Sequence, residues 1–307
     1  MINVGRLLVL REVALRGSLA AAARSLSFTP SAVSQQLAAL EREIGVPLLE
    51  RQGRGVRLTD AAWALVGRSE AILAELASAE ADIQAIKLGR SGTLALGAFP
   101  TAGALLVPAA IRTFAADHPD VKIELTELEP EESLPMLRRG ELDVVVASEY
   151  DLVPLEAVGY EQRTLLHEPM LLVHGPARAR LADPVRLTDL RGERWIAPPA
   201  GTAIFQLTVR ACENAGFEPE IASTWTDFQV VQSLAAENLG VAFVPSLALT
   251  PRREGVGVRR TRPALKRRVF LAWRTGTARE PLIASMSRAF RAAAVRLEPS
   301  LVALAAA

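Results

Sequence analysis

The sequence predicts a multidomain protein that combines the α+β and α/β classes, with a small helical N-terminal domain, a long connecting helix and a larger two-lobed α/β domain. Three observations predict this organisation. Three short helical patterns and two short extended runs fill residues 1–58. The stretch from Thr59 to about Leu88 has no proline and is long enough for one helix. Beyond residue 91, strand-like and helix-like segments alternate, which is typical of an α/β arrangement.

The composition excludes a disordered chain, because half of the 307 residues are apolar and 22% are charged. The charge is unevenly placed. Residues 1–60 hold eight Arg against five acidic residues, residues 117–143 hold nine acidic residues against three basic ones, and residues 252–274 hold nine basic residues against one acidic one. Such asymmetry indicates separate surfaces with separate partners. For the basic run around Arg259–Arg268 we favour a solvated face, or a subunit contact with the acidic segment, over DNA contact.

The cysteine, the histidines and the N-terminal segment indicate the cellular compartment and whether a metal site is expected. Cys212 is the single cysteine, so no internal disulfide can form, and its amphipathic surroundings indicate a core position. The three histidines show no metal-ligand spacing, so neither a metal site nor a cofactor is expected. The N-terminus lacks a signal-peptide pattern, and the uncharged stretch from Ser91 to Ile111 is interrupted by glycine and proline. We expect a soluble, cytoplasmic protein.

Capping residues place the three N-terminal helices. The first runs from about Val4 to Arg16, and the second begins at Ser18, which is a favourable N-cap. The third begins at Thr29, with Pro30 where a missing N–H is tolerated, and ends at Gly45.

The third helix has two distinct faces. Val33, Leu37, Leu40 and Ile44 form one apolar stripe, whereas Ser31, Ser34, Gln35, Ala38 and Arg42 lie opposite or alongside it. Two helices joined by a tight turn, the second with a small polar N-terminal face, describe a helix-turn-helix whose second helix contacts bases in the major groove. In such a position a Gln amide can bond an adenine edge. The alternative is an ordinary solvated helix face.

The segment PLLERQGRGVRLT predicts a β-hairpin, the wing of a winged helix-turn-helix. Its Arg51, Arg54 and Arg57 suit phosphates or a minor groove, although arginines in a turn can also serve solubility alone. The conjunction of capped helix, tight turn, small polar face and basic hairpin favours DNA binding.

The long helix predicted after the wing carries a heptad-like pattern. Ile72, Ala79 and Ile86 repeat at seven and alternate with Ser69, Leu76 and Ile83, which indicates pairing with another helix. The alternative is packing on its own domain. Gly89–Gly92 is predicted to form a short flexible joint.

The remaining chain predicts parallel sheets in two lobes. One sheet would run to Ser148 and be completed by RRVFLAWR and a helix from Pro281, while a second would occupy about 162–267. Ligands of such sheets bind at the carboxyl ends of strands. Loops that follow strands here carry Thr101, Thr202 and Thr226, each of which could instead be only a helix N-cap. The predicted domains are 1–58, 59–90 and 91–307, the last with lobes 91–161 plus 268–307 and 162–267.

Several blocks of sequence resemble the LysR family of bacterial transcriptional regulators. The longest is GSLAAAARSLSFTPSAVSQQLAALEREIGVPLLERQGRGVRLT, followed by HPDVKIEL, RRGELDVVVA, ENAGFEP and LGVAFVP. The resemblance implies a winged helix-turn-helix that binds double-stranded promoter DNA and a linker helix that dimerises. It also implies an effector domain folded like periplasmic solute-binding proteins, a small-molecule effector bound between its lobes, and a homodimer or homotetramer.

The resemblance also implies site residues. DNA contacts fall on Thr29, Pro30, Ser31, Ser34, Gln35, Gln36, Arg51 and Arg54. Family members commonly carry Gln-Pro where this chain has Pro30-Ser31, and many carry Arg in place of Gln35, so Gln35 is the expected base contact here. Effector contacts fall on Phe99, Thr101, Ala102, Glu129, Gly201, Thr202 and Thr226. A carboxylate at Glu129 would suit an effector with an amine, unless it belongs to a solvated acidic loop.

Two rival functions are compatible with the chain's length. A plain solute-binding module would use residues 91–307, but the absence of a signal-peptide pattern disfavours it. An enzyme could use the α/β cleft, for instance through Cys212, but no nucleophile–base pair or paired acids support catalysis, and no catalytic residue is assigned. A ligand-controlled, DNA-binding transcriptional regulator without enzymatic activity or membrane attachment is the leading hypothesis.

Overall fold

The structure is a computed structural model that describes residues 2–52, 55–88 and 92–306. For residues 51, 52, 55, 56, 78, 80–88 and 298–306 it describes the backbone alone. The chain divides into two compact units, one of Met1–Arg90 with Arg274–Glu280 and the other of Ser91–Trp273 with Pro281–Ala307. The predicted joint at Gly89–Gly92 lies outside the described residues except for its last glycine.

The first unit confirms the predicted order of helices and hairpin. Its elements are α1 (Val4–Arg16), α2 (Leu19–Ser25), α3 (Pro30–Ile44), β1 (Leu49–Gln52), β2 (Gly55–Leu58) and α4 (Asp60–Leu88). The hydroxyls of Ser18 and Thr29 accept hydrogen bonds from N–H groups in the first turns of α2 and α3. Gly17 and Gly45 end α1 and α3 in the left-handed conformation that glycine adopts without strain. β1 and β2 pair antiparallel.

The predicted apolar stripe of α3 forms the centre of the first core. Val33, Leu37 and Leu40 are fully buried, and Ile44 packs partly buried against them. Glu41 fixes the hairpin to this helix, because its Oε1 accepts the backbone N–H groups of Leu48 at 2.7 Å and Leu49 at 3.1 Å. Helical periodicity predicted the apolar stripe, but the sequence did not predict the hydrogen bonds that the Glu41 carboxylate accepts from the hairpin.

Helix α4 packs on the first unit through its N-terminal turns. Ala62, Val66 and Ser69 are buried there, so Ser69 is not part of an exposed seam as its spacing suggested. Ile72 and Leu76 are exposed, as the pairing hypothesis requires, whereas the side chains of Ile83 and Ile86 lie outside the described residues.

A buried ion pair joins α4 to α1. Arg11 Nε lies 2.6 Å from Glu70 Oε1, and their side chains are only 12% and 4% exposed. Charges removed from water are stable only when they are paired, so this contact constrains where the long helix leaves the unit.

The second unit contains eleven strands, six α-helices and three short 3-10 helices among the residues that the structure describes. The strands are β3 (Thr93–Ala98), β4 (Lys122–Glu127), β5 (Val144–Tyr150), β6 (Tyr160–His174), β7 (Val185–Arg186), β8 (Arg194–Ala197), β9 (Glu220–Thr224), β10 (Ala242–Pro245), β11 (Gly257–Arg259), β12 (Thr261–Arg262) and β13 (Leu265–Arg274). The helices are α5 (Pro100–Leu105), α6 (Val107–Asp117), α7 (Pro130–Arg139), α8 (Ala203–Asn214), α9 (Phe228–Ala236) and α10 (Pro281–Ala306).

The two sheets expected from the sequence share one long strand. A seven-stranded sheet has the order β10-β6-β13-β5-β3-β4, with β11 also paired to β6. β3, β4 and β5 are parallel, as expected, but β13 runs antiparallel to β5, and β10 and β11 run antiparallel to β6. The expected separation is wrong because β6 begins at Tyr160 and continues for 15 residues into the second lobe.

The first lobe consists of the β3–β5 end of this sheet with α5, α6, α7 and α10, and the second lobe of β7–β12 with α8 and α9. Trp195, Leu207, Cys212 and Phe243 form part of the second lobe's core. The helix expected over residues 102–116 is divided into α5 and α6, since Pro108 has no N–H to continue the ladder of helical hydrogen bonds.

No helix within the described ranges is both long enough and apolar enough to cross a membrane.

We predict that Glu70→Ala lowers the free energy of unfolding of the first unit by about 3 kcal/mol, because Arg11 would stay buried without its partner. Hydrogen exchange of the α1 and α4 amides in the full chain, followed by mass spectrometry, measures this loss. Glu75→Ala, on the exposed side of the same helix, is the matched control and should leave the exchange unchanged. Equal protection in both variants would contradict a structural role for the pair.

Candidate functional site

The N-terminal face of α3 collects five of the predicted DNA contacts on one exposed surface. Thr29, Pro30, Ser31, Ser34 and Gln35 are all exposed. The Thr29 hydroxyl accepts the N–H of Ala32 at 3.1 Å and lies 3.0 Å from the Ser31 hydroxyl. The surface therefore presents neutral donors and acceptors, together with exposed Ala38, where a groove-binding helix meets base edges.

The other three predicted contacts are placed differently. Gln36 is half-buried, and its Oε1 accepts a hydrogen bond from Arg6 Nε at 3.2 Å, so its carbonyl oxygen is used within the unit. Arg51 belongs to β1, but its side chain is outside the described part of the chain, and Arg54 lies outside the described residues altogether. Arg57 on β2 is exposed.

A cavity of about 430 Å³ lies between the two lobes of the second unit. Five predicted effector contacts line it, namely Phe99, Thr101, Glu129, Thr202 and Thr226. Ala102 is completely buried and is not in the wall of the cavity. Gly201 does not line it either, but its positive φ of 98° forms the turn that leads into α8.

The structure resolves the alternatives for all three threonines. Thr226 is not an N-cap, because Asp227 caps α9. Thr202 is the N-cap of α8, accepting the Phe205 N–H at 3.3 Å, and it also lines the cavity, so both interpretations hold. Thr101 is not an N-cap. Its hydroxyl accepts a hydrogen bond from Arg267 Nη2 at 2.9 Å.

The predictions from sequence missed the buried ion pair of Arg267, which lines the cavity, with Glu168 behind it. Arg267 Nη2 and Nε lie 2.6 Å and 2.8 Å from Glu168 Oε1, and the two side chains are 2% and 0% exposed. The second oxygen of Glu168 accepts from the Ser246 hydroxyl at 3.0 Å and the Leu247 N–H at 2.7 Å. The guanidinium also lies over the Phe99 ring, 4.9 Å from its centroid.

The structure corrects the interpretation of the basic segment in part. Arg267 is buried against Glu168, and Arg259, Arg260 and Arg268 are bonded to the Leu181 and Ala179 carbonyls, Asp183 and Glu149 within the second unit. Arg252, Arg253, Arg260, Arg262 and Lys266 are exposed, as a solvated face requires. The acidic partners of the bonded arginines lie outside residues 117–143. For Arg267 and Arg268 the reason is that β13 lies between β5 and β6 in the sheet, which brings their side chains beside those strands.

Four carboxylates line the cavity, and two of them have a structural role. Glu131 Oε1 accepts the N–H of Ala203 at 3.1 Å, at the start of α8 in the opposite lobe. Asp227 Oδ1 accepts the N–H of Gln229 at 2.7 Å and so caps α9. Each acid lies at a helix N-terminus, where negative charge is stabilised.

Glu127 and Glu129 make no such hydrogen bond in the part of the chain that the structure describes, although Glu129 is the N-cap residue of α7, and both side chains are exposed to solvent. Within the described residues, neither carboxylate has a hydrogen-bond or ion-pair partner, although both line the cavity. Loss of hydration and then the charge of Glu131 raise the pKa of Glu129 above its usual range, and Arg267 opposes this effect. A cation in the cavity would counter the raised pKa of Glu129, because it would stabilise the charged form of this carboxylate.

The described residues offer neither a reactive thiol nor a metal site. Cys212 is fully buried, and burial raises its pKa to about 12, so the thiol stays protonated at physiological pH. No group of three or more His, Cys, Asp or Glu side chains in that part of the chain is arranged to hold a metal ion.

Known proteins resemble both parts of the chain. The family model "Bacterial regulatory helix-turn-helix protein, lysR family" matches residues 4–63, and the model "LysR substrate binding domain" matches residues 87–295. The HTH-type transcriptional regulator AlsR of Bacillus subtilis (strain 168) is 30% identical over 232 residues, covering 74% of this chain and 75% of AlsR.

Two further relatives cover most of the chain. The hydrogen peroxide-inducible genes activator of Escherichia coli O157:H7 is 27% identical over 275 residues, covering 88% of this chain and 89% of that protein. The crystal structure of full-length CbnR complexed with its target DNA matches with a TM-score of 0.54 at 23% identity, covering 95% of this chain and 99% of that one. This second likeness shows the fold.

We predict that Glu168→Ala lowers the free energy of unfolding of the second unit by about 3–5 kcal/mol, because it leaves the Arg267 charge buried and unpaired. The double variant Glu168→Leu/Arg267→Met should be at least about 2 kcal/mol more stable than this single variant, since it removes both charges. Urea unfolding followed by circular dichroism measures both values. Glu124→Ala, which breaks the exposed Lys122–Glu124 pair, is the control and should cost less than about 1 kcal/mol.

Proposed function

The chain belongs to the LysR family of bacterial transcriptional regulators, and on that premise we propose that the exposed face of α3 recognises its operator while the cavity between the lobes binds the controlling effector. The family membership rests on the two models that match residues 4–63 and 87–295. It makes the protein a DNA-binding regulator with an effector-binding domain and not an enzyme. The observation that carries the assignment of sites is that each predicted site has its own exposed surface or cavity in a separate unit.

For DNA recognition, we propose that Gln35 is the principal base contact, with Thr29, Pro30, Ser31 and Ser34 beside it. Its exposure supports this role, because a free amide can donate and accept together at an adenine edge. Gln36 differs, since its carbonyl oxygen already accepts a hydrogen bond from Arg6, which orients its amide within the unit. We propose phosphate contacts for Arg51 and Arg54.

For effector binding, we propose the cavity residues Phe99, Thr101, Glu129, Thr202 and Thr226, with Ala102 and Gly201 shaping the loops behind them. Residues from both lobes line the cavity, so a ligand there would contact both and bias their separation. Its volume is within the range that small-molecule sites occupy. We accordingly keep the boundaries 1–58, 59–90 and 91–307 as the DNA-binding, linker and effector-binding domains, with the lobes 91–161 plus 268–307 and 162–267.

We propose a homodimer or homotetramer that acts in the cytoplasm. Exposed Ile72 and Leu76 on α4 support pairing with a second copy, since apolar side chains at this spacing are typical of helix–helix seams. Access to chromosomal DNA places such a regulator in the cytoplasm.

A peroxide response is the alternative that one relative's name suggests, but the chemistry of Cys212 disfavours a thiol-based form of it. Peroxide reacts with thiolates. Burial raises the pKa of Cys212 to about 12, so the thiol is almost entirely protonated at pH 8, and the side chain is fully buried.

We predict that Gln35→Ala weakens binding to the specific operator by roughly tenfold to a hundredfold while leaving binding to random DNA almost unchanged. Fluorescence anisotropy with both DNAs, across a series of salt concentrations, measures this. Arg54→Ala is the comparison, because loss of a phosphate contact should weaken binding to both DNAs alike and reduce the salt slope by about 1. An equal loss on both DNAs for Gln35→Ala would exclude base recognition by this residue.

We also predict that Cys212 is unreactive in the folded protein. Iodoacetamide at pH 8 should modify it only after denaturation, and peptide mass spectrometry of native and urea-unfolded samples measures the difference. Cys212→Ser should retain operator binding in the presence and absence of peroxide. Rapid labelling of the native protein, or a peroxide response lost in the variant, would restore the thiol-based alternative.

A further inference from the structure

The cavity lining carries more negative than positive charge once each charged side chain is considered together with its partner. Its lining contains one guanidinium and four carboxylates, those of Arg267, Glu127, Glu129, Glu131 and Asp227. The guanidinium is already neutralised, because Arg267 contacts Glu168 at 2.6 Å and both side chains are almost completely buried. Arg267 therefore adds no net positive charge for an anionic ligand.

Two of the four carboxylates are explained by the helices that they cap. Glu131 accepts from the first N–H of α8, and Asp227 caps α9. Their charge is thereby partly compensated by helix N-termini. Glu127 and Glu129 remain, two residues apart at the end of β4 and the start of α7, with no hydrogen-bond or ion-pair partner among the described residues.

An independent observation indicates that the cavity accommodates a polar ligand. Ser148 on β5 is only 4% exposed, yet it lines the cavity, and its hydroxyl has no hydrogen-bond partner within the described part of the chain. Its hydroxyl is not among the polar atoms that are cut off from water, so what remains accessible of this side chain faces the cavity. The Ser148 hydroxyl is therefore available to a ligand.

From these observations we infer that the effector is a small organic cation, an ammonium group on an apolar body, whose charge is held by Glu129 and Glu127. This inference rests on the proposed role of the cavity as the effector site. Ser148 supplies a hydrogen bond from the interior wall, and Thr202 lies on the opposite lobe.

The rest of the lining fits the apolar body. Leu105, Ile204, Phe228 and Leu247 contribute side chains to the wall, and the cavity of about 430 Å³ is suited to a compact molecule. A metal ion would be the other cationic occupant, but the described residues offer no group of three ligating side chains. An anionic effector would meet the unpartnered carboxylates and be repelled by them.

A ligand panel with matched charges tests this inference on the full-length protein. Primary alkylammonium and arylalkylammonium chlorides, such as 2-phenylethylammonium and cyclohexylammonium, are each compared with the carboxylate and the alcohol of the same shape. Thermal shift and isothermal titration measure binding, because a ligand of the folded state raises its Tm. Ammonium compounds should raise the Tm and bind at least about tenfold more tightly than their carboxylate counterparts.

Variants of Glu129 then test whether its carboxylate binds the ammonium group. Glu129→Gln should weaken ammonium binding about tenfold, and Glu129→Lys should abolish it and favour the carboxylates. Glu124→Gln is the matched control, because Glu124 lies on the same strand β4 but outside the cavity, where it pairs with Lys122. It should bind every compound as the wild type does.

Several results would overturn the inference. They are tighter binding of the carboxylates, no Tm shift with any ammonium compound, or the same affinity in Glu129→Gln as in the wild type. Operator binding is measured by anisotropy on the same samples without ligand. If the operator is bound but no ammonium compound is, the cationic effector is excluded while the proposed regulator stands. If the operator is not bound, the DNA-binding proposal fails independently of the ligand result.

Discussion

Burying a charged side chain in a protein costs several kcal/mol unless a partner of opposite charge and further hydrogen bonds compensate it. The Glu168–Arg267 pair meets this condition only when four elements lie in register: β6 with Glu168, β13 with Arg267, α5 with Thr101, and the turn after β10 with Ser246 and Leu247. The pair thus fixes the two strands that pass between the lobes, and with them the position of Thr101 in the cavity wall. An arginine that would otherwise suggest an anionic ligand is instead part of the scaffold.

Local signals predicted the N-terminal unit well because its contacts are close in sequence. Caps such as Thr29 and stop signals such as Gly45 act within one helical turn, and the buried stripe of α3 follows from helical periodicity alone. The second unit was harder to predict from sequence, because its paired strands β6 and β13 are about a hundred residues apart in the chain. Nothing in the run of arginines near Arg267 distinguishes the one that is buried from its exposed neighbours. Partner identity depends on strand register, which composition does not encode.

In the candidate sites too, the sequence predicted which residues are exposed or lie near a cleft, but not their hydrogen-bond partners. Helix faces predicted that Gln35 is exposed, but not that Gln36 is bonded to Arg6, which comes from another helix. Loop position predicted that Thr101 and Thr202 lie near a cleft. It could not assign their different hydrogen bonds, because one threonine caps its own helix while the other accepts from a distant guanidinium. The sequence did not indicate a role for Ser148, because an isolated serine within a strand is common. Only its position at the cavity makes it a candidate ligand contact.

The hydrogen bond from the Ala203 N–H to Glu131 has a further consequence, because its two partners lie on opposite lobes. Separation of the lobes must break this bond and expose the first amide of α8 to water. Exchange of that single amide in deuterated water is therefore sensitive to opening of the cleft, and also to movement of Glu131, since this hydrogen bond is at an exposed position. The carboxylate that accepts the bond also lines the cavity, where a cation would be attracted to it.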